Sequence, residues 1–161
     1  MVGLALKAEL SGVTDLTFND TLEDPYLYTF KIACTVCREV HPKEITINLY
    51  ETNEIPGSKG EANFVFKCGS CGKRSSVNAS KPKTSVYTLE DSGKSVRLLD
   101  IDSRGIDFVS FIPDGKFKCQ GAESNTKFDE VDLEDNEWYD YDEKAGDEVS
   151  ITNVQWEITK K

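Results

Sequence analysis

Four of the five cysteines fall into two identical Cys-X-X-Cys units, and this spacing constrains the fold more than any other feature. The units are Cys34-Thr35-Val36-Cys37 and Cys68-Gly69-Ser70-Cys71, with 30 residues between them. Two thiolates separated by two residues can turn toward one ion, and two such turns complete a tetrahedron around zinc. We call the turns at residues 34–39 and 68–73 the first and the second knuckle. The sequence therefore predicts one zinc ion per chain, bound by Cys34, Cys37, Cys68 and Cys71.

Three other uses of paired cysteines fit the sequence less well. Disulfides are disfavoured because a cytosolic chain keeps its thiols reduced and a two-residue spacing gives a strained ring. A thioredoxin-like redox pair begins a helix after a strand, whereas polar, strand-like sequence follows both units. An iron–sulfur cluster also takes four thiolates, but the gap between the units fits zinc better. Because four thiolates leave no open position on the metal, we expect a structural site and no metal-assisted hydrolysis.

The residues beside the cysteines refine this prediction. Gly72 directly follows the second unit, where glycine allows a positive φ while backbone amides approach the thiolates. The first unit has Arg38 at that position, so we expect it to turn differently. His41, the one histidine, could replace a cysteine ligand, but its place before Pro42 favours an exposed turn. Cys119 stands alone and is expected to be buried as a small apolar residue.

Apolar residues recur at every second position, which is the period of half-buried strands. These stripes lie at residues 4–10, 26–32, 45–49, 62–66, 86–89, 96–101, 106–112 and 154–158. Turn sequences separate several of them, at Ile55-Pro56-Gly57, Asp91-Ser92-Gly93 and Pro113-Asp114-Gly115. The pattern predicts an all-β fold, most naturally an antiparallel β-sandwich, in a single zinc-binding domain over residues 1–161. Zinc would pin the two knuckles together at strand ends, at one edge of a sheet.

A weak internal repeat relates residues 1–90 to residues 91–161. Gly12-Val13 resembles Gly105-Ile106, Phe30-Lys31 resembles Phe117-Lys118, residues 47–49 resemble 131–133, and residues 64–67 resemble 154–157. If the repeat is real, the chain consists of two similar β units of which only the first keeps metal ligands, and Cys119 is a remnant of a lost knuckle. The alternative is that alternating strands resemble one another by chance.

The formal net charge of −10 is concentrated in one segment. Residues 123–148 contain twelve acidic residues and two lysines, so they carry the whole net charge. This acidity disfavours binding to nucleic acid and to anionic membranes. No apolar run approaches the roughly 18 residues that cross a bilayer, and the first residues lack the pattern of an export signal. We therefore expect no membrane association and a cytoplasmic location, with the nucleus as a second compartment.

Two segments are candidate interaction surfaces. Residues 62–89 contain no acidic residue, and their basic residues are Lys67, Lys73, Arg74, Lys81 and Lys83. This segment could dock on the acidic one or face an anionic partner, although a solvated face is the simpler interpretation. Trp138, Tyr139 and Tyr141 lie among acidic residues and could recognise a cationic side chain through the faces of their rings. We expect these rings to pack onto the sandwich, and they are also the first candidate surface for a protein partner.

The two Cys-X-X-Cys units, the amino-terminal sequence Leu4-Ala5-Leu6-Lys7-Ala8-Glu9-Leu10 and residues 138–144 together resemble the eukaryotic CXXC-motif-containing zinc-binding proteins. The resemblance implies zinc on the four paired cysteines, an antiparallel β architecture and a cytosolic or nuclear location. It supplies no catalytic activity. The leading hypothesis is a non-enzymatic zinc-binding protein whose scaffold binds a protein partner. The alternative is zinc or metal handling, or thiol redox sensing, through the same cysteines.

Overall fold

The structure is a computed structural model that describes residues 2–55, 60–83 and 85–160. Its described residues form fourteen β-strands and one short 3-10 helix. The elements are β1 (Val2–Ser11), β2 (Val13–Phe18), β3 (Tyr28–Cys34), β4 (Ile45–Ile47), β5 (Asn53–Glu54), β6 (Glu61–Ala62), β7 (Phe64–Lys67), β8 (Arg74–Ser80), η1 (Leu89–Asp91), β9 (Ser95–Arg104), β10 (Ile106–Ile112), β11 (Lys116–Gly121), β12 (Lys127–Asp132), β13 (Trp138–Asp142) and β14 (Asp147–Lys160). The predicted all-β fold is confirmed.

All strand pairs are antiparallel, and they build one large sheet and three small ones. The large sheet has the order β13-β14-β1-β9-β8-β7, and the two three-stranded sheets have the orders β10-β3-β4 and β12-β11-β2. Strands β5 and β6 form a separate pair. Alternate residues of the strands face a common core, as the period of two in the sequence predicts.

The core is centred on aromatic side chains that join the large sheet to both three-stranded sheets. The Trp156 ring of β14 lies 5.8 Å from Phe18, 4.8 Å from Phe111 and 5.6 Å from Phe117, measured between ring centroids. These three phenylalanines belong to β2, β10 and β11. Burial of an aromatic or aliphatic side chain of this size contributes about 1.5 to 3 kcal/mol. Packing of these rings therefore stabilises the junction between the large sheet and both three-stranded sheets.

One buried carboxylate beside this core has a full set of partners. Asp20 accepts hydrogen bonds from the Tyr26 backbone N–H at 2.9 Å and from the Tyr28 hydroxyl at 2.7 Å. Lys81 Nζ lies 3.6 Å from the same carboxylate. Burial, together with this acceptor, raises the pKa of Tyr28 above its ordinary value. The hydroxyl therefore stays protonated and keeps donating to Asp20.

The strand order is palindromic. If β1 is exchanged with β9, β14 with β8 and β13 with β7, the large sheet has the same order read from its other edge. In the small sheets, β2, β11 and β12 correspond in the same way to β10, β3 and β4. In each half a long strand ends at a glycine with positive φ, Gly12 at 72° and Gly105 at 83°, and the chain then enters a three-stranded sheet. The fold thus contains two topologically equivalent sets of six strands.

Two expectations from the sequence need correction or lie outside the described residues. The apolar stripe at residues 86–89 is not a strand: Tyr87 makes an isolated bridge to Leu16, and η1 follows. Pairing stops after Tyr87 because Thr88 caps η1, with its backbone N–H and its hydroxyl both donating to the Asp91 carboxylate. In the predicted turn Ile55-Pro56-Gly57, Pro56 and Gly57 lie outside the described residues.

The described residues contain no helix with the length and apolar character needed to cross a membrane.

Candidate metal centre

The two knuckles come from different sheets. The first knuckle begins at Cys34, the last residue of β3 in the β10-β3-β4 sheet. The second knuckle joins β7 to β8 at one edge of the large sheet. The expectation that both lie at one edge of a single sheet is therefore wrong, and a metal ion between them would connect two sheets.

A kink at Gly105 brings the two knuckles together. Arg104 pairs with Ser76 of β8, and Ile106 pairs with Cys34 of β3, so consecutive strands on either side of Gly105 each lead to one knuckle. The backbone N–H of Thr35 donates to the Gly105 carbonyl at 3.2 Å. A glycine is required because φ is 83° and because a Cβ would overlap the Ser75 side chain. The sequence shows Gly105 only as part of the weak repeat, so this role was not predicted.

The four predicted ligands converge on one point. The sulfur of Cys34 lies 3.6 Å from that of Cys71, and the sulfur of Cys37 lies 3.7 Å from that of Cys68. All four sulfurs lie within 4.8 Å of one another. A zinc–sulfur distance of about 2.3 Å in a tetrahedron places the sulfurs about 3.8 Å apart. The donor set and its spacing therefore suit one thiophilic ion with tetrahedral geometry.

Both knuckles share one backbone conformation. The N–H of the first cysteine donates to the carbonyl five residues later, from Cys34 to Glu39 at 3.0 Å and from Cys68 to Lys73 at 2.9 Å. The residue that follows the second cysteine, fifth in the knuckle, has positive φ in both: Arg38 at 62° and Gly72 at 76°. The prediction for Gly72 is confirmed. The expectation of a different turn at Arg38 is wrong, because the hydrogen bonds of the knuckle impose the left-handed conformation despite the side chain.

Backbone N–H groups inside each knuckle stabilise the thiolate form of its first cysteine. Those of Cys37 and Val36 lower the pKa of Cys34, and those of Cys71 and Ser70 lower the pKa of Cys68. Metal ions bind the thiolate, so this arrangement favours coordination. Cys34 and Cys68 are also buried, with 4% and 7% of their surface exposed, whereas Cys37 and Cys71 are exposed. One side of the cluster is therefore closed by the fold and the other faces solvent.

The residues around the cysteine cluster add one hydrogen bond between the knuckles, and two other candidate ligands, His41 and Cys119, lie outside the cluster. Ser70 Oγ donates to Glu39 Oε2 at 2.8 Å, a link that the sequence analysis did not anticipate. His41 lies beside the cluster and not in it, with Nδ1 2.6 Å from the Lys43 carbonyl and the ring against Phe66. Cys119 is buried, which raises the pKa of its thiol to about 12, as expected for a core residue. Among the described residues, the four paired cysteines are the one group suited to hold a metal.

The acidic aromatic segment is divided between the core and the surface. Trp138 packs edge-on against Phe128, with ring centroids 5.3 Å apart. Tyr139 and Tyr141 are 64% and 50% exposed on the other face of β13. They line a groove together with Ser11, Glu148 and Ser150. The expected packing is thus confirmed for the tryptophan and wrong for the two tyrosines, because alternation along a strand sends residues 139 and 141 away from the core.

The acidic and basic segments contribute strands to different edges of the large sheet. β13 and β7 are the two opposite edges of the large sheet. Within the part of the chain that the structure describes, no ion pair joins residues 62–89 to residues 123–148; Lys81 pairs with Asp20 instead. The idea that these segments dock on each other is not supported.

Fold and site together define an all-β protein with a four-cysteine cluster between two sheets that is suited to bind a metal ion. Residues 3–159 match the model of the family described as CXXC motif containing zinc binding protein, eukaryotic. The chain belongs to this family.

The matches to relatives and to solved structures cover nearly the whole chain. The chain is 48% identical to the UPF0587 protein C2D10.03c of Schizosaccharomyces pombe, with 98% of this chain and 96% of the relative covered. It is 30% identical to the CXXC motif containing zinc binding protein of Homo sapiens, with 99% and 98% covered. The crystal structure of C1orf123 superposes with a TM-score of 0.88 at 31% identity and covers 99% of both chains. A hypothetical protein from Plasmodium falciparum gives a TM-score of 0.87 at 28% identity, with 98% of both chains covered.

Proposed function

We propose that this chain is a non-enzymatic zinc-binding protein whose single zinc ion stabilises a β scaffold that binds a protein partner. The observation that carries the proposal is the convergence of four sulfurs at tetrahedral spacing. In this proposal Cys34, Cys37, Cys68 and Cys71 are the zinc ligands. Four thiolates fill the coordination shell, so the ion has no position for a reacting water.

The position of the cluster supports a structural role for the ion. The ligands come from two sheets, and apart from the contacts among the four sulfurs, the bond from Ser70 to Glu39 is the one side-chain hydrogen bond between the knuckles within the described residues. A metal at this point would connect the ends of β3 and β8, and the free energy of binding would become free energy of folding. Reduced thiols are needed for this role, which fits a cytoplasmic or nuclear compartment.

The exposed tyrosines are the surface that we assign to the partner. Tyr139 and Tyr141 stand opposite Ser150 and Glu148 in the ladder, while Trp138 on the other face anchors β13 to the core. The strand that carries the two rings is therefore anchored, while the rings themselves stay exposed. Two exposed aromatic rings on one rigid strand provide contact area at a low cost in side-chain entropy.

Charge defines the chemistry of that partner. The Tyr139 hydroxyl donates to Glu137 Oε2 at 3.3 Å, and Glu148 stands opposite Tyr141 in the ladder. Ring faces and carboxylates both attract cations. We therefore propose a protein segment rich in lysine and arginine as the ligand of this surface.

A labelled peptide of alternating lysine and glycine tests the surface. We expect the double substitution Tyr139→Ala and Tyr141→Ala to weaken its binding by about tenfold in a fluorescence anisotropy titration. The control is Tyr50→Ala, which also removes an exposed tyrosine but lies elsewhere on the chain. Since none of these substitutions changes the net charge, equal binding by all variants would show that charge alone attracts the peptide and would remove this surface from the proposal.

The exposure of Cys37 and Cys71 favours a second candidate, metal handling or thiol redox sensing. On this alternative, zinc passes to a chromogenic chelator while the thermal unfolding temperature stays unchanged. On the structural proposal, loss of zinc and loss of stability occur together.

Nucleic acid is not expected as a partner: the basic residues near the second knuckle should fail to retard RNA or DNA in a gel even at low salt, where counterion release favours binding.

A further inference from the structure

We propose that residues 121–126 and 142–147 form a second pair of knuckles, in which the Asp142 carboxylate holds the position that a metal ion takes between cysteine knuckles. We call residues 121–126 the third knuckle and residues 142–147 the fourth. They connect β11 to β12 and β13 to β14, which are the counterparts of β3–β4 and β7–β8 in the palindromic strand order.

The same glycine kink positions this second pair. Gly12 has a φ of 72° and joins β1 to β2, as Gly105 joins β9 to β10. The Ala122 backbone N–H donates to the Gly12 carbonyl at 2.9 Å, which reproduces the bond from Thr35 to Gly105 at 3.2 Å. Val13, which follows Gly12, pairs with Gly121 at the start of the third knuckle. Ser11, which precedes Gly12, pairs with Ser150 of β14, the strand that leaves the fourth knuckle.

The backbone of the third knuckle repeats that of the first. The Gly121 N–H donates to the Thr126 carbonyl at 2.7 Å, five residues on, as Cys34 donates to Glu39. The fifth residue, Asn125, has a φ of 61°, close to the 62° of Arg38. By this correspondence Gly121 and Ser124 stand at the two cysteine positions.

The fourth knuckle repeats the second in the same way. The Gly146 N–H donates to the Asp142 carbonyl at 2.8 Å, as Gly72 donates to Cys68 at 2.9 Å, and both glycines have positive φ. Asp142 and Ala145 therefore stand at the two cysteine positions of this turn.

The Asp142 carboxylate lies between the two turns and binds both of them. Only 1% of the Asp142 surface is exposed. From the third knuckle it accepts hydrogen bonds from Ser124 Oγ and from Thr126 Oγ1, the latter at 2.8 Å. From its own turn it accepts the N–H groups of Lys144 at 3.1 Å and Ala145 at 3.2 Å. These two N–H groups correspond to those of Ser70 and Cys71, which face the Cys68 sulfur.

Gly121 shows where the centre of this second pair lies. A Cβ built at Gly121 would overlap Asp142 Oδ2 and Ser124 Oγ, so it would point at the carboxylate. The backbone of Gly121 is not in the left-handed region, so its φ does not require glycine. A larger residue is excluded there because its Cβ would have no space. The carboxylate thus fills the volume into which a third-knuckle cysteine would project its sulfur. One half of the fold is held by a candidate metal centre and the other by an anion built into the chain.

A restoration experiment tests this inference. The quadruple variant Gly121→Cys, Ser124→Cys, Asp142→Cys and Ala145→Cys removes the carboxylate and places four thiols at the knuckle positions. We expect native mass spectrometry of the zinc-loaded variant to show one zinc ion more than the unsubstituted chain. A folded variant, judged by circular dichroism, that gains no zinc ion would overturn the correspondence between the two pairs.

A second measurement applies even if the quadruple variant does not fold. We expect Asp142→Asn to lower the unfolding temperature by roughly 5 to 10 °C, because an amide replaces a charged acceptor of four hydrogen bonds. Hydrogen exchange should increase in the third and fourth knuckles, with the zinc content unchanged. The control Glu143→Gln removes the same charge from an exposed neighbour and should change neither quantity. An Asp142→Asn variant as stable as the control would contradict the proposal.

Discussion

Arg38 and Gly72 adopt the same left-handed conformation at the same position of the two knuckles, with φ of 62° and 76°. An arginine in this region is strained by about 1 kcal/mol, whereas glycine is not. Arg38 therefore adopts an unfavourable backbone conformation, because the hydrogen bonds of the first knuckle require a positive φ at this position. The pair offers a direct test of how far the knuckle backbone contributes to stability.

We expect Gly72→Ala to destabilise the zinc-loaded protein by about 1 kcal/mol and Arg38→Gly to leave it unchanged or slightly more stable. At Gly72 a Cβ would approach only the Lys67 side chain at 4.0 Å, so the cost comes from φ and not from a clash. Gly69→Ala is the control, since that glycine has open space and no positive φ. Urea denaturation measures all three. Equal stability of the Gly72 and Gly69 variants would show that the left-handed residue is unimportant.

The Gly105 kink should control metal affinity as well as stability. A Cβ at Gly105 would overlap Ser75 of β8, the strand that leaves the second knuckle, so we expect Gly105→Ala to separate the knuckles and to weaken zinc binding at least tenfold. Gly93→Ala is a matched control, because Gly93 has the same φ of 83° but nothing within 4 Å of its Cβ position. Competition with a chelator of known affinity measures the difference. Similar zinc affinity in both variants would exclude Gly105 as the residue that positions the site.

Asp142 should make the stability of the fold depend on pH in acid. The hydrogen bond from Ser124, with those from Thr126 and the backbone, lowers the pKa of Asp142 below its ordinary value of 3.8. Because the folded-state pKa is depressed, the carboxylate contributes its full stabilisation above the ordinary value and loses it as the pH falls through the lowered pKa. We expect the stability difference between the unsubstituted chain and Asp142→Asn to shrink below about pH 4.

The zinc ligands do not obscure this comparison. Both proteins carry the same cysteines, so protonation of the thiolates affects them equally and cancels in the difference. Chemical denaturation at a series of pH values measures it. A difference that stays constant from neutral pH to about pH 2 would show that the ionised carboxylate does not hold the second pair of knuckles.

Much of the fold and the candidate site could be predicted from the sequence, because both depend on local patterns. Alternation identified β1, β9, β10 and the end of β14, and the two Cys-X-X-Cys units identified the cluster with its left-handed Gly72. Alternation gives the faces of a strand but not its partners, so the placement of the knuckles in two sheets was missed. That placement depends on the kink at Gly105.

The second pair of knuckles could not be found in the same way. In the weak repeat, residues 64–67 match residues 154–157, whereas the strand order makes β13 the counterpart of β7. The repeat would make Cys119 the remnant of a lost knuckle, but Cys119 is a buried residue of β11, two positions before Gly121. Gly121, Ser124 and Asp142 stand at positions where the cysteine knuckles have cysteine, so the residue type that marks the motif is missing. Their equivalence lies in backbone hydrogen bonds, which the sequence does not display.

The central claim is that one zinc ion on Cys34, Cys37, Cys68 and Cys71 is a structural crosslink. Native mass spectrometry of the purified chain, combined with thermal unfolding in the presence and absence of chelator, tests it most directly. We expect one zinc per chain, its loss in Cys68→Ser with a fall in unfolding temperature of roughly 10 °C or more, and full retention in the control Cys119→Ser. Zinc that leaves Cys68→Ser or the chelated protein without loss of stability would contradict the claim and would make the thiolates themselves the functional chemistry.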